Sequence, residues 1–364
     1  MRVVVAPDSF KGTVEATDAA AAIARGWLGV RPDDDLVEMP MADGGEGTLD
    51  AFLAAVPGAV RMPVEVQGPD SRPARSSWVL LPDGTGIVEL AATSGITMLD
   101  PLQPLDAHTV GFGEAIAAAL DHGVERLLLG LGGSATSDGG AGALAALGAR
   151  FADAEGDPVP HGNRGLALLA RAHLGGLRPL PPGGAVVLGD VTNPLLGLTG
   201  AAAVFGPQKG ADAATVDRLE ANLAHLAAIV DTETGVDAGA PGTGAAGGTG
   251  FAMLAWGAEL GGGAELIART IGLPEAVGGA DLVITGEGRY DGQSEAGKAP
   301  TEVARLAERS GVGVALVAGA ITAEPVRFAA SVSLTDLAGG GAAAMADGVR
   351  WLEEAGAVLA RRFG

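Results

Sequence analysis

The stretch RVVVAPDSFKGT, residues 2–13, is an apolar run that changes abruptly into a polar, glycine-containing loop. β-Branched residues fill the run and Pro7 ends it, which is typical of a buried β-strand. The next segment, TVEATDAAAAIARGWLGV (13–30), predicts a helix with a threonine cap. A strand, a loop and a helix in this order predict the start of a parallel sheet with crossover helices.

The same alternation continues to residue 56 and returns at the other end of the chain. The further predicted strands are DLVEMPM (35–41), ADLVIT (280–285), GVALVAGA (313–320) and AASVSLT (329–335). The predicted helices lie in ADGGEGTLDAFLAAV (42–56) and over 299–310, 323–329 and 342–363. These elements predict a doubly wound α/β domain with a parallel sheet that is split in sequence, residues 1–65 plus 280–364.

The middle of the chain has a different pattern. Segments 61–69, 75–84 and 86–93 alternate in polarity and are joined by Gly, Pro and Asp turns, which predicts antiparallel hairpins. Further strand and helix candidates follow, including a helix over 212–231. We therefore predict a large inserted mixed α/β domain, residues 66–279.

Composition limits the classes of function. At 364 residues and 48% hydrophobic content the chain predicts about two globular domains. A net charge of −21 argues against nucleic-acid or anionic-membrane partners, and the absence of cysteine excludes disulfides and thiolate chemistry. No signal peptide or membrane-length apolar span is evident, so we expect a cytoplasmic protein. The oligomeric state is left open.

Lysine is rare in this chain, since 20 of the 23 basic residues are arginine. The lysines are Lys11, Lys209 and Lys298, and each is next to a glycine in the sequence. A lysine is a compact point charge that approaches phosphate or carboxylate oxygens closely. These positions therefore suggest anion contacts, although three lysines in exposed turns could also arise by chance.

Polar loops follow the first two predicted strands. Asp8, Ser9 and Lys11 come after the first strand and could hold a small hydroxy acid, or form a helix-capping turn. Asp43 and Glu46 come after the second and suit a metal ion or a polar substrate. Open parallel sheets bind ligands outside the carboxyl ends of their strands, which is where both loops are predicted.

The segment GLGGSATSDGGAGA, residues 130–143, follows a predicted strand and precedes a helix. Its small and hydroxyl residues suit phosphate at a helix N-terminus; the candidates are Gly132, Gly133, Ser134, Thr136 and Ser137. Part of it is also a loose dinucleotide fingerprint, which keeps an NAD(P)-dependent dehydrogenase as an alternative. A Ser/His/Asp hydrolase lacks a clear nucleophile-elbow pattern.

Two later segments carry further acids. In LGDVTNP (188–194), Asp190 is a candidate general base or, with Asn193, a magnesium ligand. An ordinary Asx turn at TNP is the alternative. In ITGEGRYDGQSEAGKAP (284–300) the spacing Gly-x-x-x-x-Gly-Lys fits part of a P-loop. Ala299 stands where that motif needs Ser or Thr, so the match is partial.

Together these loops resemble those of the glycerate kinase family, the type that includes the bacterial glycerate 2-kinases. The segments that carry the resemblance are VVVAPDSFKGT, PMADGGEGT, GLGGSATSDGGAGALAALGA, GDVTNPLLG, FGPQKGA, GTGAAGGTGF and ITGEGRYDGQSEAGKAP, in order from residue 3 to residue 300. The resemblance implies a flavodoxin-like domain interrupted by a second α/β domain. It also implies phosphorylation of D-glycerate by ATP and Mg²⁺, with 2-phosphoglycerate favoured over 3-phosphoglycerate.

Within the matched segments, chemistry suggests roles for individual residues, with the active site expected in a cleft between the domains. The glycerate carboxylate would meet Lys11 or Arg289, and Asp190 or Asp43 would accept the proton of the attacking hydroxyl. Phosphates would be held by Lys209, Lys298 and the loop at 134–137. The candidate substrate ligands are Asp8, Ser9, Lys11, Glu46 and Arg289, and the candidate metal ligands are Asp190, Glu287 and Asp291. A non-catalytic nucleotide or sugar-acid binding protein is a further alternative.

Overall fold

The structure is a computed structural model and describes residues 1–10, 12–42, 44–291 and 299–364. Its strands, in chain order, are β1 (Arg2–Pro7), β2 (Asp35–Glu38), β3 (Val60–Gln67), β4 (Pro73–Leu80), β5 (Thr85–Glu89), β6 (Arg126–Gly130), β7 (Arg150–Ala152), β8 (Arg171–His173), β9 (Ala185–Leu188), β10 (Glu259–Gly261), β11 (Leu282–Tyr290), β12 (Gly313–Ile321) and β13 (Ala330–Ser333).

The helices span short and long segments between these strands. They are α1 (Ala16–Leu28), α2 (Thr48–Ala55), α3 (Ala91–Ser94), α4 (Val110–His122), α5 (Ala141–Ala146), α6 (Asn163–Leu166), α7 (Ala201–Phe205), α8 (Ala213–Thr234), α9 (Ala245–Trp256), α10 (Gly263–Thr270), α11 (Leu273–Gly278), α12 (Ala299–Ser310), α13 (Leu334–Ala338), α14 (Gly341–Ala346) and α15 (Gly348–Arg362). Short 3₁₀ turns cover Ile96–Met98 and Pro207–Lys209. Within the described residues, no helix is long and apolar enough to cross a membrane.

The chain divides into two compact units. Unit 1 comprises residues 1–43, 50–57 and 262–364, and unit 2 comprises 44–49 and 58–261. The sequence pattern placed 44–49 and 58–65 in the first domain and 262–279 in the second, whereas this division assigns 44–49 and 58–65 to unit 2 and 262–279 to unit 1. The physical reason is pairing and packing: β3 pairs along its length with β4, and α10 and α11 pack against α12.

Unit 1 is built on a parallel sheet with the order β13-β12-β11-β1-β2. Counted within this unit the order is 2-1-3-4-5, which is the flavodoxin-like arrangement, so the predicted fold class is confirmed. Val3 pairs with Leu282 and Pro7 with Gly286, so the first strand is completed by a strand from the far end of the chain. All five strands are parallel, and the order in which the chain adds them to the sheet reverses between β1 and β11; ligands bind at such switch points.

Both faces of this sheet are covered. On one face Val3, Val5, Ile284 and Val317 form a buried cluster with residues of α1 and α15. The alternate residue Val4 is also fully buried, and α12 contacts β1, β11 and β12. Apolar residues at successive positions are what a sheet buried on two sides requires.

Unit 2 contains a mixed sheet with the order β10-β9-β6-β5-β4-β3. β10, β9, β6 and β5 are parallel, and β5, β4 and β3 form the predicted antiparallel hairpins. The large core of this unit includes Trp78, Phe112 and Phe251 together with leucines of α8. β7 and β8 make a separate antiparallel pair.

Two predicted helices near the C-terminus differ in the structure. Residues 323–329 form turns instead of a helix, because Pro325 interrupts the segment and Phe328 N donates to the Pro325 carbonyl. Phe328 packs edge-on against Tyr290, with 5.6 Å between ring centroids. The helix predicted over 342–363 is divided into α14 and α15 at Asp347, whose φ of −145° and ψ of 58° are not helical.

The contact between α1 and α15 predicts a sensitivity to side-chain size at Gly356. A Cβ at Gly356 would collide with the backbone carbonyl of Ile23, and one at Gly26 would collide with that of Glu353. Gly356→Ala should therefore lower the free energy of unfolding by about 1–3 kcal/mol, although alanine is the better helix former. Urea unfolding measures the change.

Gly278 provides a matched control, since it is helical and nothing lies within 4 Å of its added Cβ. Gly278→Ala should leave stability unchanged or raise it slightly. Equal stability of the Gly356→Ala and wild-type proteins would contradict the close helix contact.

Candidate functional site

The carboxyl ends of the strands in unit 1 surround a pocket of about 450 Å³. Asp8 follows β1 directly, and Glu287 lies in the C-terminal half of β11, so the pocket adjoins the switch point of the sheet. The carboxylates of Asp8 and Glu287 belong to residues that are each only 7% exposed. Asp8 N donates to the Gly286 carbonyl at 2.8 Å, and Ser9 N donates to Asp8 Oδ1 at 2.7 Å, which fixes the loop after β1.

Arg289 and Asp291 also line this pocket. Arg289 Nε lies 3.5 Å from Asp291 Oδ2, and the arginine side chain is 66% exposed. The structure therefore brings together five of the sequence-predicted residues of unit 1: Asp8, Ser9, Glu287, Arg289 and Asp291. Lys11 and Lys298 lie outside the described residues.

In unit 2 the predicted residues collect at the carboxyl edge of the parallel strands. Asp190 comes two residues after β9 and is half-buried. The loop after the neighbouring strand β6 begins at Leu131, and Gly132 N donates to the Gly44 carbonyl at 2.9 Å. The segment that carries Glu46 thus lies against this loop, and Glu46 is exposed. Asp43 lies outside the described residues.

A buried carboxylate organises the second half of the loop after β6. Asp138 has no exposed surface and accepts hydrogen bonds from Thr109 N (2.9 Å), Thr109 Oγ1 (2.8 Å), Gly140 N (3.1 Å) and Gly142 N (3.2 Å). Thr109 Oγ1 in turn accepts from Ala143 N at 2.9 Å. These bonds satisfy donors at the start of both α4 and α5, because orphan N–H groups occur there. Asp138 therefore fixes the turn that joins β6 to α5.

Lys209 lies beneath the same loop. Its side chain is 2% exposed, and its Nζ donates to the Thr136 carbonyl oxygen. Burial lowers the pKa of Lys209 to about 7, and the nearby Asp138 opposes that shift. The backbone of Gly247 passes close to Nζ, at a position where φ is +66° and a Cβ would collide with the Thr136 carbonyl. The structure thus places Lys209 as a support of the loop backbone.

The hydroxyl residues of the loop are also turned inward. Ser134 Oγ lies 2.9 Å from Thr136 Oγ1 and accepts from Thr136 N at 3.0 Å. The Ser137 carbonyl accepts from Asn163 Nδ2 at 2.8 Å, and Ser137 is almost fully buried. Gly132 and Gly133 are the parts of the predicted phosphate loop that reach the surface.

Within the described residues, the candidate metal ligands do not form a complete coordination site. Among residues 1–10, 12–42, 44–291 and 299–364, no three acidic or histidine side chains are grouped so as to hold a metal ion. Glu287 and Asp291 line the pocket of unit 1, whereas Asp190 belongs to unit 2. Magnesium commonly takes one or two protein carboxylates and completes its shell with water and phosphate oxygens, so a pair is compatible with that ion.

Sequence reasoning did not single out several structural residues of this site. They include Asp138, Thr109 and Asn163 around the loop, and Glu89, whose Oε2 accepts from Leu49 N at 3.0 Å. A signal for Asp138 was available: the triplet Asp-Gly-Gly stands immediately before a helix. Thr109 and Asn163 are distant in sequence from the loop and carry no local signal.

Comparison with known proteins adds evidence of relationship over the whole chain. The glycerate kinase family matches residues 3–364. "Glycerate 2-kinase" of Escherichia coli K12 is 42% identical over 328 residues, which cover 88% of this chain and 86% of that protein. "Glycerate kinase" of Bacillus subtilis 168 is 43% identical over 328 residues, which also cover 88% of this chain and 86% of that protein.

A solved structure agrees with the fold. The crystal structure of a proposed glycerate kinase 2 from Salmonella typhimurium LT2 superimposes with a TM-score of 0.85 at 39% identity. The match covers 100% of this chain and 98% of that one. These similarities favour the kinase over the dehydrogenase and the non-catalytic alternatives.

The buried position of Lys209 predicts a specific dependence of stability on pH. An unfolded lysine keeps its proton up to about pH 10.5, whereas Lys209 in the folded chain has a pKa of about 7. Between these values the unfolded state binds more protons, so the free energy of unfolding should rise with pH, by up to about 1.4 kcal/mol per pH unit from this group. Urea unfolding at pH 7, 8, 9 and 10 measures the slope.

Lys209→Met should reduce that slope, because the variant lacks the titrating amine. The difference between the two proteins isolates Lys209 from other groups that titrate in the same range. Parallel stability curves for wild type and variant would show that the amine remains protonated when folded.

Proposed function

The chain belongs to the glycerate kinase family, and we propose that it uses ATP to phosphorylate the 2-hydroxyl of D-glycerate, giving 2-phosphoglycerate and ADP. The match over residues 3–364 carries this proposal, because it includes every loop at which polar residues collect. Preference for the 2-hydroxyl is supported by the name of the Escherichia coli relative. The expected location of the active site between the domains stays a prediction.

Glycerate is proposed to bind at the polar side of the pocket in unit 1. Ser9 can donate to a substrate oxygen, and the exposed guanidinium of Arg289 suits a carboxylate, which it can bind through two parallel N–H groups. Lys11 would add a second cation at the same loop. These contacts hold the acid so that its hydroxyl faces the donor phosphate, and such orientation is a main source of rate in phosphoryl transfer.

Magnesium is proposed to bind at Glu287 and Asp291, with Asp190 as the third candidate ligand. The fit rests on the donors themselves: these are hard carboxylate oxygens, and Glu287 is almost buried in the pocket wall. When bound, the ion would neutralise charge on the ATP phosphates. Asp8, which is equally buried, adds negative charge to the same wall.

Proton removal from the attacking hydroxyl is assigned to Asp190. It is half-buried at the carboxyl end of β9, and its carboxylate can accept a proton from a substrate hydroxyl within hydrogen-bond reach. Asp43 is the second candidate. Glu46 is exposed beside the loop after β6 and is available to a polar substrate group.

Phosphate contacts are proposed at the exposed end of the loop after β6. Gly132 and Gly133 offer backbone close to the surface, while Ser134, Thr136, Ser137 and Lys209 hold the loop from beneath. This division refines the expectation that all of these residues touch phosphate. Lys298 is a further proposed phosphate ligand.

Product analysis tests the proposed reaction directly. Purified protein with ATP, Mg²⁺ and D-glycerate should yield a phosphomonoester in the phosphorus NMR spectrum. Coupling of that phosphorus to a single proton identifies the 2-phosphate, whereas coupling to two protons identifies the 3-phosphate. Unchanged ATP with folded protein would refute the glycerate assignment.

Replacement of the proposed base should affect turnover more than binding. Asp190→Asn should lower kcat by about 10²–10⁴-fold with little change in KM for ATP, because the amide cannot accept the proton. Asp231→Asn removes the same charge from an exposed site on α8 and should retain full activity. An Asp190→Asn protein with most of its turnover would exclude Asp190 as the base.

A further inference from the structure

The pocket of unit 1 has a second half that glycerate and metal do not explain. The polar residues discussed above form one part of its lining, here called the rim, and the apolar part includes Phe10, Val14, Leu334 and Ala344, which are all buried. Met345, 65% exposed, stands at the edge of this apolar half. Phe10 and Val14 come from the loop after β1, and the others from α13 and α14.

The size and composition of this half do not suit a three-carbon acid. The whole pocket, of about 450 Å³, falls within the range of pockets that enclose ligands the size of a drug or cofactor, so it has room for more than a three-carbon acid. Glycerate carries polar atoms on every carbon, so apolar walls would desolvate it without compensating hydrogen bonds. A flat, largely apolar ring would instead gain from burial against Phe10 and the aliphatic side chains.

Two threonines among the residues that line the pocket have hydroxyl protons already engaged in hydrogen bonds. Thr13 Oγ1 donates to the Phe10 carbonyl at 2.7 Å, and Thr335 Oγ1 donates to the Gly319 carbonyl at 2.8 Å. Because each hydroxyl has one proton, the oxygen that remains can accept from a ligand N–H. An amino group on the edge of a ring is such a donor.

The charged residues of the rim indicate which polar groups a ligand with such a ring would carry. Asp8, Glu287 and Asp291 place three carboxylates beside one guanidinium, that of Arg289. Carboxylates accept hydrogen bonds from ribose hydroxyls, and with a divalent cation they also accommodate phosphates. A nucleotide can therefore use both halves of the pocket at once.

We infer that the apolar half of the unit 1 pocket is the adenine subsite of the phosphate donor, with Phe10, Val14, Leu334, Ala344 and Met345 around the ring. This inference rests on the proposed function, because the kinase activity supplies the reason for a nucleotide. Glycerate then occupies the rim alone.

Ala344→Leu tests the subsite by filling space that the ring needs. The variant should raise the Kd for ADP with Mg²⁺, measured calorimetrically without glycerate, and the KM for ATP, each by about tenfold or more. KM for glycerate and the Kd of Mg²⁺–pyrophosphate should stay within about twofold of wild type, since neither ligand has a ring. Ala342→Leu, on the exposed side of the same helix, is the matched control and should behave as wild type.

Met345→Glu is the second variant, because an exposed substitution preserves folding even if Ala344→Leu does not. It should raise the Kd for ADP by about threefold or more, since a charge replaces an apolar contact with the ring. If the wild-type protein does not phosphorylate glycerate but both variants bind ADP more weakly than it does, the subsite is supported and the proposed function is refuted. Unchanged ADP affinity in both folded variants, or a raised KM for glycerate alone, would overturn the subsite.

Discussion

Parallel pairing between β1 and β11 is the interaction on which unit 1 depends. Val3 faces Leu282 and Pro7 faces Gly286, so strands separated by most of the chain form the centre of one sheet. The pairing places the loop that carries Asp8 beside the C-terminal half of β11, which carries Glu287. Without this long-range register, neither the pocket nor the charge on its rim would exist. The loop-closure entropy that such pairing costs is offset by apolar residues buried on both faces of the sheet.

In unit 2, buried polar groups fix the conformation of the loop after β6. Asp138 collects donors from two helix starts, and Lys209 holds a carbonyl of the same loop, so a glycine-rich segment acquires a fixed shape. Each of these groups would be costly to bury alone: Asp138 accepts four hydrogen bonds, and Lys209 donates to the Thr136 carbonyl. The buried residues beneath therefore support the part of the loop that reaches the surface, the half-buried Gly132 and the exposed Gly133.

The sequence predicts the sheet of unit 1 well, because continuous apolar runs such as 2–7 and 282–285 have few alternatives to buried parallel strands. It also predicts several polar residues of the pocket, because Asp8 and Glu287 come just after those apolar runs, but it does not predict the apolar residues that line the same pocket. It does not predict that Lys209 is buried, because a lysine between glycines has the local pattern of an exposed turn. Nor does it predict the turns at 323–329, where the contact of Phe328 with Tyr290 and the constraint of Pro325 prevail over helical propensity.

The split of unit 1 also has a consequence for synthesis of the chain. Residues of β1 and α1, including Val3, Ile23 and Trp27, leave the ribosome long before β11 and α15, which bury them. At about 5–20 residues per second, the segment 29–281 between α1 and β11 takes roughly thirteen to fifty seconds to translate. During that interval unit 2 has all of its own strands, whereas the first strand and helix of unit 1 expose their apolar faces. The nascent chain therefore offers chaperones a hydrophobic N-terminal segment, and unit 1 is completed only when the last helix emerges.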